Sequence, residues 1–259
     1  MMTTYGGQTA IVTGAGTGIG FEIARQLALG GASLVLNDLH EKLAENAADT
    51  IAAAGGKVIP VAGDAGDLEH IRQLVEAAVS AYGGLDIAVA NAGITTFGDF
   101  FEYSPENFRQ LVRINLQGSF FLAQAAARQM RAQGRGGRIL FMSSVTGNQA
   151  HRHLAAYGMT KAGLQMLAKA LVPELSPHGI TVNALAPGAT VTERTLADDP
   201  AYPEIWSALS PTGRASLPQD IAQAALFLVA PQASQITGQT LVVDGGWSAL
   251  SPEPEQGRG

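Results

Sequence analysis

Tyr157 and Lys161 stand four residues apart in AAYGMTKAG, a spacing that brings both side chains to one face of a helix. A phenol is a poor base at neutral pH, with an ordinary pKa of ~10. A neighbouring ammonium stabilises its ionised form, and the pair can then move a proton to or from a hydroxyl. Ser144, thirteen residues ahead of Tyr157 in FMSS, carries a hydroxyl suited to steadying a developing alkoxide. Each feature alone has a plainer reading: a packed ring, a solvated amine, a serine that caps a turn. A second cluster, AIVTGAGTGIG over residues 10–20, sets Gly14, Gly16, Gly18 and Gly20 among small residues directly after an apolar run. A tight turn would use glycine there, and so would a phosphate loop, because helix N-termini offer free N–H groups and glycine lets backbone approach a ligand.

The elements that must position these residues are short apolar runs alternating with amphipathic stretches. Strands are expected at 9–13, 32–38, 57–64, 85–93, 137–144, 179–188 and 239–246. Helices are expected at 18–29, 41–54, 67–82, 105–133, 155–175 and 218–229, with an irregular stretch after Gly188. The strands are Val-, Ile- and Leu-rich without alternation, as when helices cover both faces of a sheet. The order predicts an α/β fold, an open, doubly wound parallel sheet of about seven strands, in which ligands bind beyond the carboxyl ends. Gly14, Asp38, Asp64, Asn91, Ser144 and Pro187 all fall at or just past a strand end. Loops collect such residue types anyway, but six on one edge mark a site.

Bulk properties narrow the field. The 259 residues are 46% hydrophobic and 15% charged with a net charge of −6, enough for one large domain over 1–250. No basic cluster suits nucleic acid or an anionic membrane. There is no cysteine, so disulfide and thiolate chemistry are excluded. No His/Asp/Glu group has metal-ligand spacing, and no metal is expected. The N-terminus does not resemble a signal peptide and no run approaches membrane-spanning length, so a soluble cytoplasmic protein is expected. The Pro- and Gly-rich end, 251–259, is expected to be flexible.

The spacing Thr13-Gly14-x-x-x-Gly18-Ile19-Gly20 resembles the cofactor loop of the short-chain dehydrogenase/reductase superfamily, a single-domain Rossmann-type family. The resemblance extends to Asn91-Ala92-Gly93, Asn115, Ser144 with Tyr157-x-x-x-Lys161, Pro187-Gly188-x-x-x-Thr192, and Gly238 to Gly246. It covers the chain up to Trp247 and implies a dinucleotide held by Gly14, Thr17, Gly18, Ile19, Gly20, Asp38, Asp64, Asn91, Ala92, Gly93, Tyr157, Lys161, Pro187, Gly188 and Thr192. It implies catalysis by Tyr157 as acid/base and Lys161 on the nicotinamide ribose. Ser144 would lie on the substrate oxygen and Asn115 in a proton relay through a water. Asp64 would approach the adenine amine, or cap the helix near Asp67 instead. Asp38 can accept both adenosine ribose hydroxyls and repel a 2′-phosphate, and with Thr17 and Leu39 neutral it points to NAD. A lid is expected over 189–216, its Tyr202 and Trp206 either stacking on substrate or anchoring the lid. His151 and His153 are further candidates to meet substrate. The expected reaction interconverts a secondary alcohol, such as a sugar or polyol, and its carbonyl. A 3-oxoacyl-[acyl-carrier-protein] reductase and a catalytically silent NAD-binding module are the alternatives. Phe120, Phe121, Leu122, Leu164, Met166 and Leu167 exceed what one sheet contact needs, and helices of this family pair in homotetramers.

Overall fold

The computed structural model describes residues 4–250, so the expectation for 251–259 lies outside the described residues. The chain runs β1 (Thr9–Val12), α1 (Gly18–Leu29), β2 (Ser33–Asp38), α2 (Glu41–Ala53), β3 (Lys57–Ala62), α3 (Leu68–Tyr82) and β4 (Ile87–Ala90). It continues through α4 (Pro105–Val112), a π-helical segment (Arg113–Gly118), α5 (Ser119–Gln133), β5 (Gly137–Met142), α6 (Ala155–Ala170), α7 (Val172–Leu175) and β6 (Ile180–Pro187). Helices α8 (Glu193–Asp198), α9 (Tyr202–Leu209) and α10 (Pro218–Val229) then lead to β7 (Thr240–Val243).

All seven strands lie parallel in one sheet, in the order β3-β2-β1-β4-β5-β6-β7. Alternate strand residues feed the two faces. Ala10, Val12, Leu34 and Leu36 face a core with Ile23, Leu27, Ile221 and Leu228 of α1 and α10. Ile11, Val35 and Phe141 face the opposite core with Ile71, Leu74, Leu122 and Leu164 of α3, α5 and α6. Each fully buried aliphatic side chain contributes about 1.5–3 kcal/mol, which accounts for the continuous apolar runs. Chain order reverses between β1 and β4, which opens a crevice above their carboxyl ends.

Three expectations need correcting. The 105–133 helix is interrupted at Arg113–Gly118, where one widened turn holds Asn115, Gln117 donates to the Gly66 carbonyl and Ser119 Oγ donates to the Asn115 carbonyl. The stretch after Gly188 is not irregular. A reciprocal Thr192–Thr195 cap starts α8, and Pro203 sits in the first turn of α9. The 155–175 helix breaks at Leu171, two residues ahead of Pro173.

Candidate active site

The glycine loop joins β1 to α1 and is stitched across the crevice to the end of β4. Thr13 Oγ1 accepts the N–H groups of Asn91 and Ala92, both at 3.1 Å, and Asn91 Nδ2 donates to the carbonyls of Thr13 (2.9 Å) and Gly14 (2.8 Å). Asn91 thus spends its amide on the loop's shape. Gly14 has φ +60°, and a Cβ there would lie 2.8 Å from the Ala92 Cα, so only glycine lets the two strand ends close up. Gly18, also left-handed, leaves a Cβ-sized cradle at the start of α1, with Thr192 Cγ2 at 3.4 Å from that position. Ile19 and Gly20 form the first turn of α1 and Thr17 stands exposed at its N-cap, so the loop presents a helix N-terminus at the carboxyl edge of the sheet. That cradle fits a pyrophosphate.

Asp38, at the end of β2, accepts the Gly16 N–H on Oδ2 (3.0 Å) and the His40 N–H on Oδ1 (3.1 Å). Its carboxylate faces the glycine loop, with neutral Thr17 and Leu39 alongside. Asp64 does not cap α3. Asp67 does, accepting from the N–H groups of Glu69 and His70, while Asp64 pairs with Arg113 at 2.7 Å and accepts the Gly66 N–H. The helix starts one residue later than expected, at Leu68, which makes Asp67 itself the cap.

Helix α6 carries both Tyr157 and Lys161. Lys161 is almost fully buried and its Nζ donates to the Met142 carbonyl at the end of β5 (2.8 Å), 5.5 Å from the centre of the Tyr157 ring. Burial holds the Lys161 ammonium below the usual lysine range; the Tyr157 phenol opposes that shift and Arg194 adds to it. Gln165 continues the same helix face by one turn and fixes the two serines. Its Nε2 donates to Ser143 Oγ (3.1 Å), and Ser143 Oγ donates to the Lys161 carbonyl (2.8 Å). Ser143 is therefore buried and occupied. Ser144 is half-buried, with its Oγ accepting only the Thr146 N–H (3.3 Å) among the described residues. Asn115, fully buried, accepts the Ile94 N–H (2.9 Å) and donates to the Ile94 carbonyl (3.0 Å) and Thr160 Oγ1 (3.2 Å). It clamps the segment after Asn91-Ala92-Gly93 to α6, and a Cβ on Gly93 would sit 3.2 Å from Asn115 Oδ1 and 3.4 Å from Lys161 Nζ.

Pro187 ends β6, and the Gly188 N–H donates to the Val243 carbonyl. The segment that follows, 189–216, is pinned at its base by the Thr190–Ser216 bridge. The Tyr202 and Trp206 rings lie 5.9 Å apart, tilted by 44°, and burial pushes the Tyr202 phenol above its ordinary pKa. His151 is half-buried with its Nε2 enclosed and unpartnered among the described residues. His153 is exposed, with φ +64°, and its carbonyl accepts the Gly98 N–H. Two nearby residues escaped the sequence reading. Arg194, on α8, sends its charge towards Lys161 and Tyr202, but it belongs to no pattern legible in the chain. Trp247 lies 5.5 Å from Trp206 and 5.3 Å from His151, although its position in sequence is only the edge of the tail.

A dinucleotide crevice bordered by a tyrosine–lysine pair and a free serine hydroxyl defines a nucleotide-dependent oxidoreductase acting on CH–OH groups. Residues 14–248 match the family described as enoyl-(acyl carrier protein) reductase. The L-rhamnose 1-dehydrogenase (NAD(P)(+)) of Azotobacter vinelandii is 40% identical over 245 residues, covering 92% of this chain and 96% of that one. A short-chain type dehydrogenase/reductase from Mycobacterium marinum superposes with a TM-score of 0.90 at 35% identity over 96% of this chain and 98% of that one. A gluconate 5-dehydrogenase from Burkholderia cenocepacia, solved in complex with NADP and tartrate, gives 0.89 at 34% identity, with 96% and 98% covered. The chain belongs to the short-chain dehydrogenase/reductase family. Among the described residues no helix is long and apolar enough to cross a membrane, and no group of three or more His, Asp or Glu is placed to hold a metal.

Proposed function

We propose that the protein is an NAD-preferring dehydrogenase of a sugar or related polyol, with Asn115, Ser144, Tyr157 and Lys161 as its catalytic set. The observation that carries the reaction is the buried Lys161 ammonium beside Tyr157 at the mouth of the crevice, with Ser144 Oγ uncommitted to any other side chain. A bound nicotinamide dinucleotide would supply the hydride acceptor, held by the glycine loop, Asp38, the Asn91–Gly93 segment, Lys161 and the Pro187–Thr192 stretch. Lys161 steadies Tyr157 as the phenolate, the phenolate takes the substrate hydroxyl proton and becomes the neutral phenol, and Ser144 donates to the substrate oxygen. Asn115 keeps the Ile94 segment registered against α6. The sugar class draws on the dehydrogenases of rhamnose and gluconate among its relatives, and on the aromatic lid. A panel of aldoses, aldonates, polyols and 3-oxoacyl thioesters, followed by NADH absorbance, tests it. Turnover confined to the thioesters overturns the sugar reading in favour of the acyl reductase.

Ser144→Ala is expected to lower kcat by about 10²–10³ through loss of one transition-state hydrogen bond. Ser143→Ala should instead lower thermal stability, by about 1–3 kcal/mol, because it removes the buried hydroxyl that joins the Gln165 amide to the Lys161 carbonyl. Equal kinetic losses in both variants would reject the assignment of Ser144.

The cofactor preference rests on Asp38. Its fixed carboxylate faces the ribose end of the loop, where a 2′-phosphate would meet like charge at a cost of several kcal/mol. Calorimetry should give NAD binding at least ~10-fold tighter than NADP, with Asp38→Ala narrowing the ratio. Tighter NADP binding by the unmodified protein overturns the preference.

A homotetramer is the assembly we favour, on partly different residues from those singled out in sequence. Leu122 and Leu164 face the sheet core, and Phe121 and Leu167 are half-buried beside it. Phe120 and Met166 are exposed and are joined by Phe108, Met159 and Phe100, the latter three lining a groove of ≈670 Å³ between α4 and α6. So much apolar surface in one region marks an interaction face. Light scattering at micromolar concentration that returned 26.8 kDa would refute an oligomer.

A further inference from the structure

The lid and the loop ahead of α6 meet on a single ring. Trp247 stands between Trp206 of α9, edge to face at 5.5 Å and 82°, and His151, tilted by 36° at 5.3 Å. Tyr202 extends the row through Trp206. The turn that presents Trp247 is held from inside. Asp244 Oδ1 accepts the Gly246 N–H and Oδ2 the Ser248 N–H, both at 2.8 Å. Gln149 Nε2 reaches the Ser248 carbonyl at 3.4 Å, tying the His151 loop to the same turn. A Cβ at Gly245 would run into Ser210 Oγ and Thr212 Oγ1, so the end of α9 rests directly on the turn's backbone. The space left between them, lined by Trp206, Ser210, Asp244 and Trp247, is ≈10 Å³, room for one water at most.

We infer that Trp247 is a positioning residue for the substrate site: it latches helix α9 down and, through the same ring, sets the imidazole of His151. The two contacts make one unit, because the same indole meets Trp206 at 82° and His151 at 36°, and edge-to-face and offset aromatic contacts are favourable beyond burial. Among the described residues His151 Nε2 is enclosed without a partner, and a buried polar atom left unpaired calls for one. A hydroxylated substrate that reaches His151 supplies that bond, and its arrival is sensed by the same column. This deepens the reading of 189–216 as a substrate lid and rests on it.

The chain's two tryptophans are the two rings of the latch, so the test needs neither a label nor a substrate. Hydrogen exchange is measured on the full-length protein with Trp247→Ala and Trp247→Phe, alongside near-ultraviolet circular dichroism. In Trp247→Ala, amides of Tyr202–Leu209 and of the 149–154 loop should exchange at least ~10-fold faster, while those of Gly18–Leu29 stay unchanged. Trp247→Phe, which keeps a ring, should recover most of the protection. The near-ultraviolet signal of the tryptophan pair should vanish in both variants and in Trp206→Phe. NAD affinity by calorimetry should stay within about 2-fold in all of them. Unchanged lid exchange in Trp247→Ala overturns the proposal, and so does faster exchange spread over the whole sheet or a loss of NAD binding, since each would mark a purely structural residue. Should Trp247→Ala fail to fold, Trp206→Ala releases the latch from its other side, with the same two segments expected to respond. None of these outcomes depends on which alcohol is oxidised, so a chain that turned over no sugar would still pass or fail.

Discussion

Replacing Tyr157 by phenylalanine is expected to lower kcat by about 10²–10⁴, the usual weight of a positioned acid/base group, while the Kd for NAD moves by no more than about 3-fold. The ring keeps its place on α6 above Lys161, and only the oxygen that carries the proton is lost. Stopped-flow measurement of NADH formation gives the first quantity and calorimetry the second. Turnover within a few-fold of the unmodified enzyme would show that the Tyr157–Lys161 geometry is ornamental.

Lys161→Met separates charge from length and should pull activity and stability in opposite directions. Activity should fall by a similar factor to Tyr157→Phe, and NAD should bind more weakly because the variant also loses an amine at the ribose. The folded protein should nevertheless melt at a higher temperature at pH 7. Burying an ammonium costs several kcal/mol even after relaxation, against about 1–3 kcal/mol for leaving the Met142 carbonyl without its donor. The sign with pH follows from the lowered native pKa of Lys161. Below that native value both states hold the proton and the penalty is complete. Above it the native state sheds the proton while the unfolded chain keeps it until ~10.4, so the unmodified protein gains stability as pH rises through this window. The melting gap between Lys161→Met and the unmodified protein should close accordingly. A variant that melts lower at pH 7 would show that the Met142 bond outweighs the buried charge.

Much of this site was legible in the chain because its residues answer to local rules. Gly14 and Gly18 mark left-handed backbone, Tyr157 and Lys161 a helix face, and Asp38 a strand end. Gln165 obeys the same four-residue period and was there to be read. What stayed hidden depends on contacts far apart in sequence or on backbone detail with no compositional mark. The widened turn around Asn115 looks like ordinary helix in RINLQG, and its geometry comes from packing against Gly66 and Ala65. Helices α8 and α9 are short, and their proline and threonine content reads as loop until the Thr192–Thr195 cap is seen. Trp247 gains its neighbours from residues about forty and a hundred positions earlier. Asp64 reads as a cap until Arg113 is seen to claim it, with Asp67 holding the helix instead.

The strand order has a temporal consequence. β1 lies in the middle of the sheet, yet the strand on its far side is β4, and the bond from the Thr9 N–H to Asp86 spans 77 residues. At synthesis rates of about 5–20 residues per second, TAIV would wait roughly 4–15 s on the ribosome with one edge unpaired. Only β2 can pair with it meanwhile, on one side, with β3 adding beyond β2, so the first half of the crevice is built before the second exists. The stretch from Thr9 to Val12 is therefore the place where a stalled or truncated chain would be most prone to pair with a stranger.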